Sequence, residues 1–315
     1  MSDTDRPRSP FAGMADFSTR PPVRRLSRHE IEQTLAAHRL YLKSEWRQGH
    51  RANFASADLS GQDFSGLNLR GIKMDRAILR GADFTGAQLQ RANLIGTISQ
   101  EARFDRADLS GARLSGANLV SASFEDACLA KAEMEFALMA KALLRGACLH
   151  EADMSGVQLD GAVLTRADLQ KANLRGAGLR DARLDEADFR NARLGGAFLV
   201  GASLRGACLR EADMSGAQLD GAVLTRVDLQ RANLRGAGLR NARLDEADLR
   251  GARLGGAYLL KASLRGANLR GAYLRSAKLD GGDLSDANLH DAEGLTQAQL
   301  DLAQLSSGTK LPEDL

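Results

Sequence analysis

Aromatic side chains make up only 4% of the 315-residue sequence. So few large rings imply a narrow core, which excludes a buried ligand cavity. Proline is absent between residues 52 and 291. A chain without proline keeps every backbone N–H as a donor, as stacked strands require. Three cysteines are too few for a disulfide framework and fit a reducing cytoplasm. No run of about 18 apolar residues is present, so no membrane-spanning helix is expected. The N-terminus also lacks the apolar core of a signal peptide. No Ser-His-Asp grouping, phosphate-binding glycine loop or metalloprotease motif occurs. The expectation is a non-enzymatic protein without a cofactor.

What the sequence does contain is a five-residue period, held without insertion from Phe54 to Leu289 over 48 pentads. Almost every fifth residue, labelled i, is Leu, Phe or Met, and the residue at i−2 is nearly always Ala. A period of five matches neither a helix nor a strand. It suits a chain that turns one corner per pentad, with i and i−2 inside and the other three residues outside. Glycine recurs at i+2, as at Gly61, Gly66, Gly71, Gly81 and Gly86, where a tight turn needs unusual backbone angles.

Longer periods give the number of pentads per coil. Phe64, Phe84, Phe104 and Phe124 lie 20 residues apart, as if one ring stacks on the next. Residues 151–210 also match residues 211–270 at 50 of 60 positions, a duplication of three coils of four pentads. Both observations favour a four-sided solenoid of 12 coils, about 58 Å long at the usual spacing of stacked strands.

Stretches such as Ala167-Asp-Leu-Gln-Lys-Ala-Asn-Leu resemble the pentapeptide-repeat family, whose pattern is A-(D/N)-L-x-x. The resemblance covers about three quarters of the chain. It implies an all-β solenoid, a right-handed quadrilateral parallel β-helix of about 12 coils with a short helix capping each end. Departures cluster early. Gln62, Leu67, Ile72 and Thr97 replace the small residue, and Ser99 replaces a central apolar one, so looser or distorted coils are expected there. Val157, Val227 and Gly282 are milder exceptions.

The sequence divides into a disordered arm (1–26), a capping helix (27–47), the repeat region (52–291) and a C-terminal cap (292–315). The arm holds four of the five prolines. Ser27 and Glu30 form a capping-box pattern. Ile31, Leu35, His38 and Leu42 share one helix face, which Trp46 would continue. That face either covers the first coil or binds a partner. Thr296 opens a short helix presenting Leu300 and Leu302. The family resemblance implies that two subunits can pair through such a C-terminal region.

The net charge is +3, distributed as +4 over residues 1–51, −3 over 52–160, +8 over 161–280 and −6 over 281–315. The basic zone 161–280 and the arginines Arg20, Arg24, Arg25 and Arg28 are candidates for contact with nucleic acid or an anionic membrane. Some family members resemble duplex DNA and occupy DNA gyrase. Here the repeat region carries 32 basic and 30 acidic residues, a poor imitation of phosphate.

Cys128, Cys148 and Cys208 fall on one face, with His150 near the first two. Zinc wants four closed ligands, so a stacked column of small residues is the better reading. Asp108, Asp168, Asp188, Asp228 and Asp248 share that column, and Arg190, Arg210, Arg250 and Arg270 stand beside it. A flat face offers no water-excluding pocket for paired carboxylates. Another face is less polar. Ile78, Ile98, Leu138, Phe198 and Tyr258 stand at its i−1 positions, and Val120, Val200 and Leu260 at i+1. Ile78, Ile98, Leu138, Phe198, Val200, Tyr258 and Leu260 are the candidate partner-contact surface, interrupted by Gln158, Gly178, Gln218 and Gly238. A protein-interaction scaffold is the function this pattern favours.

Overall fold

Five residues per side are too few for a long strand, so the repeat region builds its sheets from single bridges stacked along one axis. The computed structural model describes residues 23–313. From Asn53 to Glu293 each parallel bridge joins residues 20 apart, so four pentads separate neighbours in a column. Phe64, Phe84, Phe104 and Phe124 stack at centroid distances of 4.9, 4.9 and 4.8 Å, close to the strand spacing itself.

The pentad around Leu109 shows how the backbone is satisfied. The amide of Ala107 closes the corner on the carbonyl of Phe104 at 3.0 Å. Asp108 donates back to Ala87 in the preceding coil, while Leu109 and Gly111 donate forward to Cys128 and Ala130. The fifth amide, that of Ser110, has no backbone acceptor. It donates to Oδ1 of Asp108 at 3.0 Å, a local turn of the kind Asp and Asn favour. Asp or Asn before the central Leu is thereby explained: its oxygen covers the one donor the ladder leaves free. The same bond recurs at Ser155, Gln170, Arg190 and Gln230. At Gly178, Ser203 and Gly238, which replace that residue, the preceding coil supplies the acceptor. Arg180 donates to Asp160, Arg205 to Asp185 and Arg240 to Asp220.

Each corner places its second central residue at positive φ, the pattern of a type II turn. Every fifth residue from Ser56 to Asp291 has this conformation, glycine or not. The inward Ala and Leu side chains are buried throughout and form one continuous core.

The early departures from the pattern do not distort the ladder, contrary to the sequence expectation. Thr97 and Ser99 are both buried, and Oγ of Ser99 donates to Oγ1 of Thr97 at 3.0 Å. Paired in this way, neither hydroxyl is left uncompensated. Ile72 is buried, and Leu67 is half-buried against the core.

At the N-terminal end, β1 (Arg24–Arg25) precedes α1 (Arg28–Lys43) and pairs in parallel with β2 (Ala57–Asp58). Residues 24–25, read as disordered arm, therefore extend a sheet column; residues 1–22 of that arm lie outside the described residues. Ser27 and Glu30 form the expected capping box. Ile31 joins the core, and Leu26 and Leu35 pack against it. Nδ1 of buried His38 accepts from the amide of Ala52 at 3.2 Å. Trp46 does not continue this face. The helix stops at Lys43, Glu45 and Trp46 turn to positive φ, and the indole is 72% exposed.

At the other end, α2 (Gln297–Leu300) opens with a capping box between Thr296 and Gln299. The side-chain Nε2 of Gln299 also donates to the carbonyls of Leu274 and Ala277 at the end of the ladder. Leu300 is buried, but Leu302, expected beside it, lies beyond the helix and is exposed. Residues 302–310 add a last partial coil in parallel, with Leu284 donating to Gln304 and Leu289 to Lys310.

Acid should lower the stability of the fold over two successive pH ranges. Burial, with Arg51 adding to it, holds the His38 imidazole below its ordinary value of 6.5. The unfolded chain then binds the proton more tightly, so stability present above pH 6.5 falls as pH drops below it. Hydrogen bonds from Ser60, Ser65 and Ser285 hold Asp58, Asp63 and Asp283 below the ordinary 3.8. Their contribution is present above that value and is lost as pH falls below it. Urea titrations across pH should show both losses, and His38→Gln should abolish only the first.

Candidate partner-contact surface

The less polar face is a ladder column running Asp58, Ile78, Ile98, Asn118, Leu138, Gln158, Gly178, Phe198, Gln218, Gly238 and Tyr258. Leu138, Tyr258 and Val200 are exposed by 43%, 42% and 37%. Ile78, Ile98, Phe198 and Leu260 are half-buried and project less than their spacing implied. At Phe198 the neighbouring coil contributes to this. The Arg180 guanidinium lies over the Phe198 ring, 4.7 Å from its centroid, and Arg240 covers Tyr258 at 4.8 Å.

Each lid is held from below. Arg180 pairs with Asp160 and Arg240 with Asp220, both at 3.6 Å. The glycines between these residues leave the room. A Cβ on Gly178 would lie 3.1 Å from Oδ1 of Asp160, and one on Gly238 would lie at the same distance from Asp220. The Asp–Gly–Arg–aromatic arrangement thus occurs twice, once in each copy of the duplicated block. Gly178 and Gly238 looked like gaps in an apolar stripe; they make space for the carboxylates that hold the lids.

Sequence reasoning missed Phe136. It occupies a corner position that elsewhere carries glycine or a polar residue, and that oddity was the available signal. Its backbone is at φ 56°, an unfavourable conformation for a bulky residue, and its side chain is 63% exposed. The ring reaches over the next corner, where a Cβ on Gly156 would come within 2.6 Å of it. Phe136 and Leu138 together form the most exposed apolar pair on this side of the rod.

The acidic face is laced with ion pairs. Arg190 grips Asp188 through two nitrogens, with Nη2 to Oδ2 at 2.6 Å, and Arg250 grips Asp248 the same way. Arg210 reaches Asp228 in the next coil at 3.0 Å. Arg270 instead pairs with Asp291. Burial raises the Asp248 carboxyl, but bonds from Arg250 outweigh it and the net shift is downward. Cys128 and Cys148 are neighbours, and burial pushes the Cys148 thiol up, away from the thiolate a metal needs. The His150 ring pairs with Glu151 at 3.2 Å. Among the described residues no group of three or more His, Cys, Asp or Glu is placed to hold a metal ion, and no helix is long and apolar enough to cross a membrane.

A double-mutant cycle on Arg240→Met and Tyr258→Leu should give a coupling of about 0.5–1 kcal/mol in thermal unfolding, the range for exposed cation–π pairs. Strict additivity would mean that the lid contributes nothing.

A family model described as pentapeptide repeats matches the chain in eight copies, the first starting at residue 52 and the last ending at 306. No curated protein matches the sequence. Among solved structures, HetL, a pentapeptide repeat protein involved in heterocyst differentiation regulation from the cyanobacterium Nostoc sp. strain PCC 7120, is 27% identical. The match covers 86% of this chain and 100% of HetL, with a TM-score of 0.40. A second Nostoc pentapeptide repeat protein, alr5209, is 37% identical over 33% of this chain and 84% of its own, with a TM-score of 0.30. Full-length QnrB1, a plasmid-mediated fluoroquinolone resistance protein, is 18% identical over 82% of this chain and 94% of its own, with a TM-score of 0.28. With repeats matched from residue 52 to residue 306, the chain belongs to the pentapeptide-repeat family, and its fold is a β-helix solenoid.

Proposed function

We propose that this protein is a non-enzymatic interaction scaffold, a rod of twelve right-handed coils closed by α1 and α2, that binds a protein partner through its apolar face. The observation carrying this reading is the pair Phe136 and Leu138, both exposed and one held in an unfavourable corner conformation. Half-buried Ile98 stands two coils away in the same column, beyond Asn118. Phe198 and Tyr258 belong to the face as well, and a partner reaches them across their arginine lids. The complementary partner is a protein with an apolar anchor at the centre of its contact surface. Exposed Leu302, Leu305 and Leu311 support a second role, pairing of two copies through their C-terminal ends. A single-chain mass by light scattering at high concentration removes that part of the reading.

The alternative, a DNA mimic acting on gyrase or another topoisomerase, needs a row of uncompensated carboxylates. Asp188, Asp228 and Asp248 each carry an arginine partner, so that reading is not adopted.

Affinity capture from a lysate of the producing cells should recover a specific protein. Phe136→Asp/Leu138→Asp should lower its recovery about tenfold or more, the loss of a central apolar anchor. Phe198→Asp/Tyr258→Asp should have a smaller effect. Equal recovery with native protein and both variants would sink the reading, and recovery of a topoisomerase would revive the alternative.

A further inference from the structure

Between residues 161 and 280 the chain carries 21 basic and 13 acidic side chains, and the four faces share them unequally. On three faces most arginines have a carboxylate, as in Arg180–Asp160, Arg205–Asp185 and Arg210–Asp228. The fourth face follows the column Asn173, Arg193, Asp213, Asn233, Arg253, Tyr273. It holds Arg175, Arg193, Arg235, Arg253 and Arg275 against one acid of the zone, Asp213. Among the described residues none of these five has an ion-pair partner within 4.0 Å. Asp213 is committed elsewhere, accepting from the amide of Ser215 at 3.2 Å and from Asn233 at 2.9 Å.

Three of the five converge. Arg235, Arg253 and Arg275 surround a concavity of about 340 Å³ together with Gly255 and Tyr273. Gly255 lies between Arg235 and Arg275 in the i+1 row and leaves the gap open. A Cβ there would meet nothing nearer than 3.8 Å. The Tyr273 ring is 46% exposed and offers an aromatic wall. Glu293, one coil beyond Tyr273, is the nearest acid of that column and is not within ion-pair distance of the three arginines. Three like charges around one open hollow repel each other unless an anion sits among them. The guanidinium fork matches the oxygens of phosphate.

We propose that this hollow binds a phosphate-bearing anion of at least two charges, with Arg235, Arg253 and Arg275 as its ligands and Tyr273 as its wall. The source is either a small soluble diphosphate or the backbone of a nucleic acid, both presenting the same oxygens. The inference does not rest on the apolar contact surface, which occupies a different face.

Two probes separate the sources: inorganic pyrophosphate by calorimetry, and a labelled 12-nucleotide single strand by fluorescence anisotropy, both near physiological salt. The native protein is compared with Arg235→Gln/Arg253→Gln/Arg275→Gln and with Arg190→Gln/Arg210→Gln/Arg250→Gln, an equal charge change on the acidic face. The first variant should weaken binding about tenfold or more, and the second less than about twofold. Binding of pyrophosphate alone identifies a small-anion site. A strand that binds and is displaced by pyrophosphate identifies backbone phosphate. The proposal is overturned if neither probe binds at millimolar concentration, or if both variants lose affinity equally. Unchanged unfolding midpoints verify that both variants are folded.

Discussion

The structure depends on one hydrogen-bonded ladder that advances by a fixed 20 residues per turn. Inside the rod it uses four amides of each pentad: one closes the corner, one reaches back and two reach forward, as Ala107, Asp108, Leu109 and Gly111 do. Nothing in this arrangement can slip by a residue, because a slip would turn Leu outward and charge inward. The interior is then only as wide as two side chains per pentad allow. Alanine at i−2 and leucine at i fill it, and stacked phenylalanines substitute where one column permits. The fifth amide explains the polar letter of the repeat. Asp and Asn at i−1 are turn acceptors for a donor that has no backbone partner, a bond worth roughly 0.5–1.5 kcal/mol. Asp160, Asp185 and Asp220 perform that task from the coil below.

A filled rod has to act through its outside, and its faces differ by chemistry rather than by shape. One is laced with arginine–aspartate pairs and nearly neutral. One exposes Phe136, Leu138 and Tyr258, half-buries Phe198, and lays an arginine over each of the Phe198 and Tyr258 rings. One gathers unpaired arginines around Tyr273. Duplication of residues 151–210 preserved the face on which each residue lies, since a shift of 60 is three whole turns. It therefore copied the Asp160–Arg180–Phe198 arrangement intact as Asp220–Arg240–Tyr258. Corner residues carry a different constraint. Positive φ is imposed on all of them, so side chains such as Phe136 persist there at a cost of about 1–2 kcal/mol relative to glycine.

The repeat length, the inward positions and the stacked phenylalanines were legible because one period repeats them many times. The capping box at Ser27 and Glu30 was legible because it is local. Features set by contacts between coils were not. The lids over Phe198 and Tyr258 join residues 18 apart that no local pattern links. The mutual bond of Thr97 and Ser99 makes two polar residues harmless in a core, where each alone looked disruptive. Trp46 fitted the helical period, but backbone turns at Glu45 and Trp46 end the helix before it. Pairing of Arg24–Arg25 with Ala57–Asp58 was hidden because an arm rich in Pro and Arg gives no strand signal until a free edge is beside it. The arginine hollow needed face-by-face charge, whereas segment totals gave only the basic zone.

Amide hydrogen exchange, read residue by residue, tests the ladder and its fifth donor directly. The amides of Ser110 and Arg180, accepted by Asp108 and Asp160, should exchange at least about tenfold more slowly than those of Arg80 and Ala140, which follow Ile78 and Leu138 and have no such acceptor. If all four exchange at the same rate once intrinsic differences are removed, the carboxylates do not hold the fifth amide, and the reason offered here for the Asp/Asn position of the repeat is wrong.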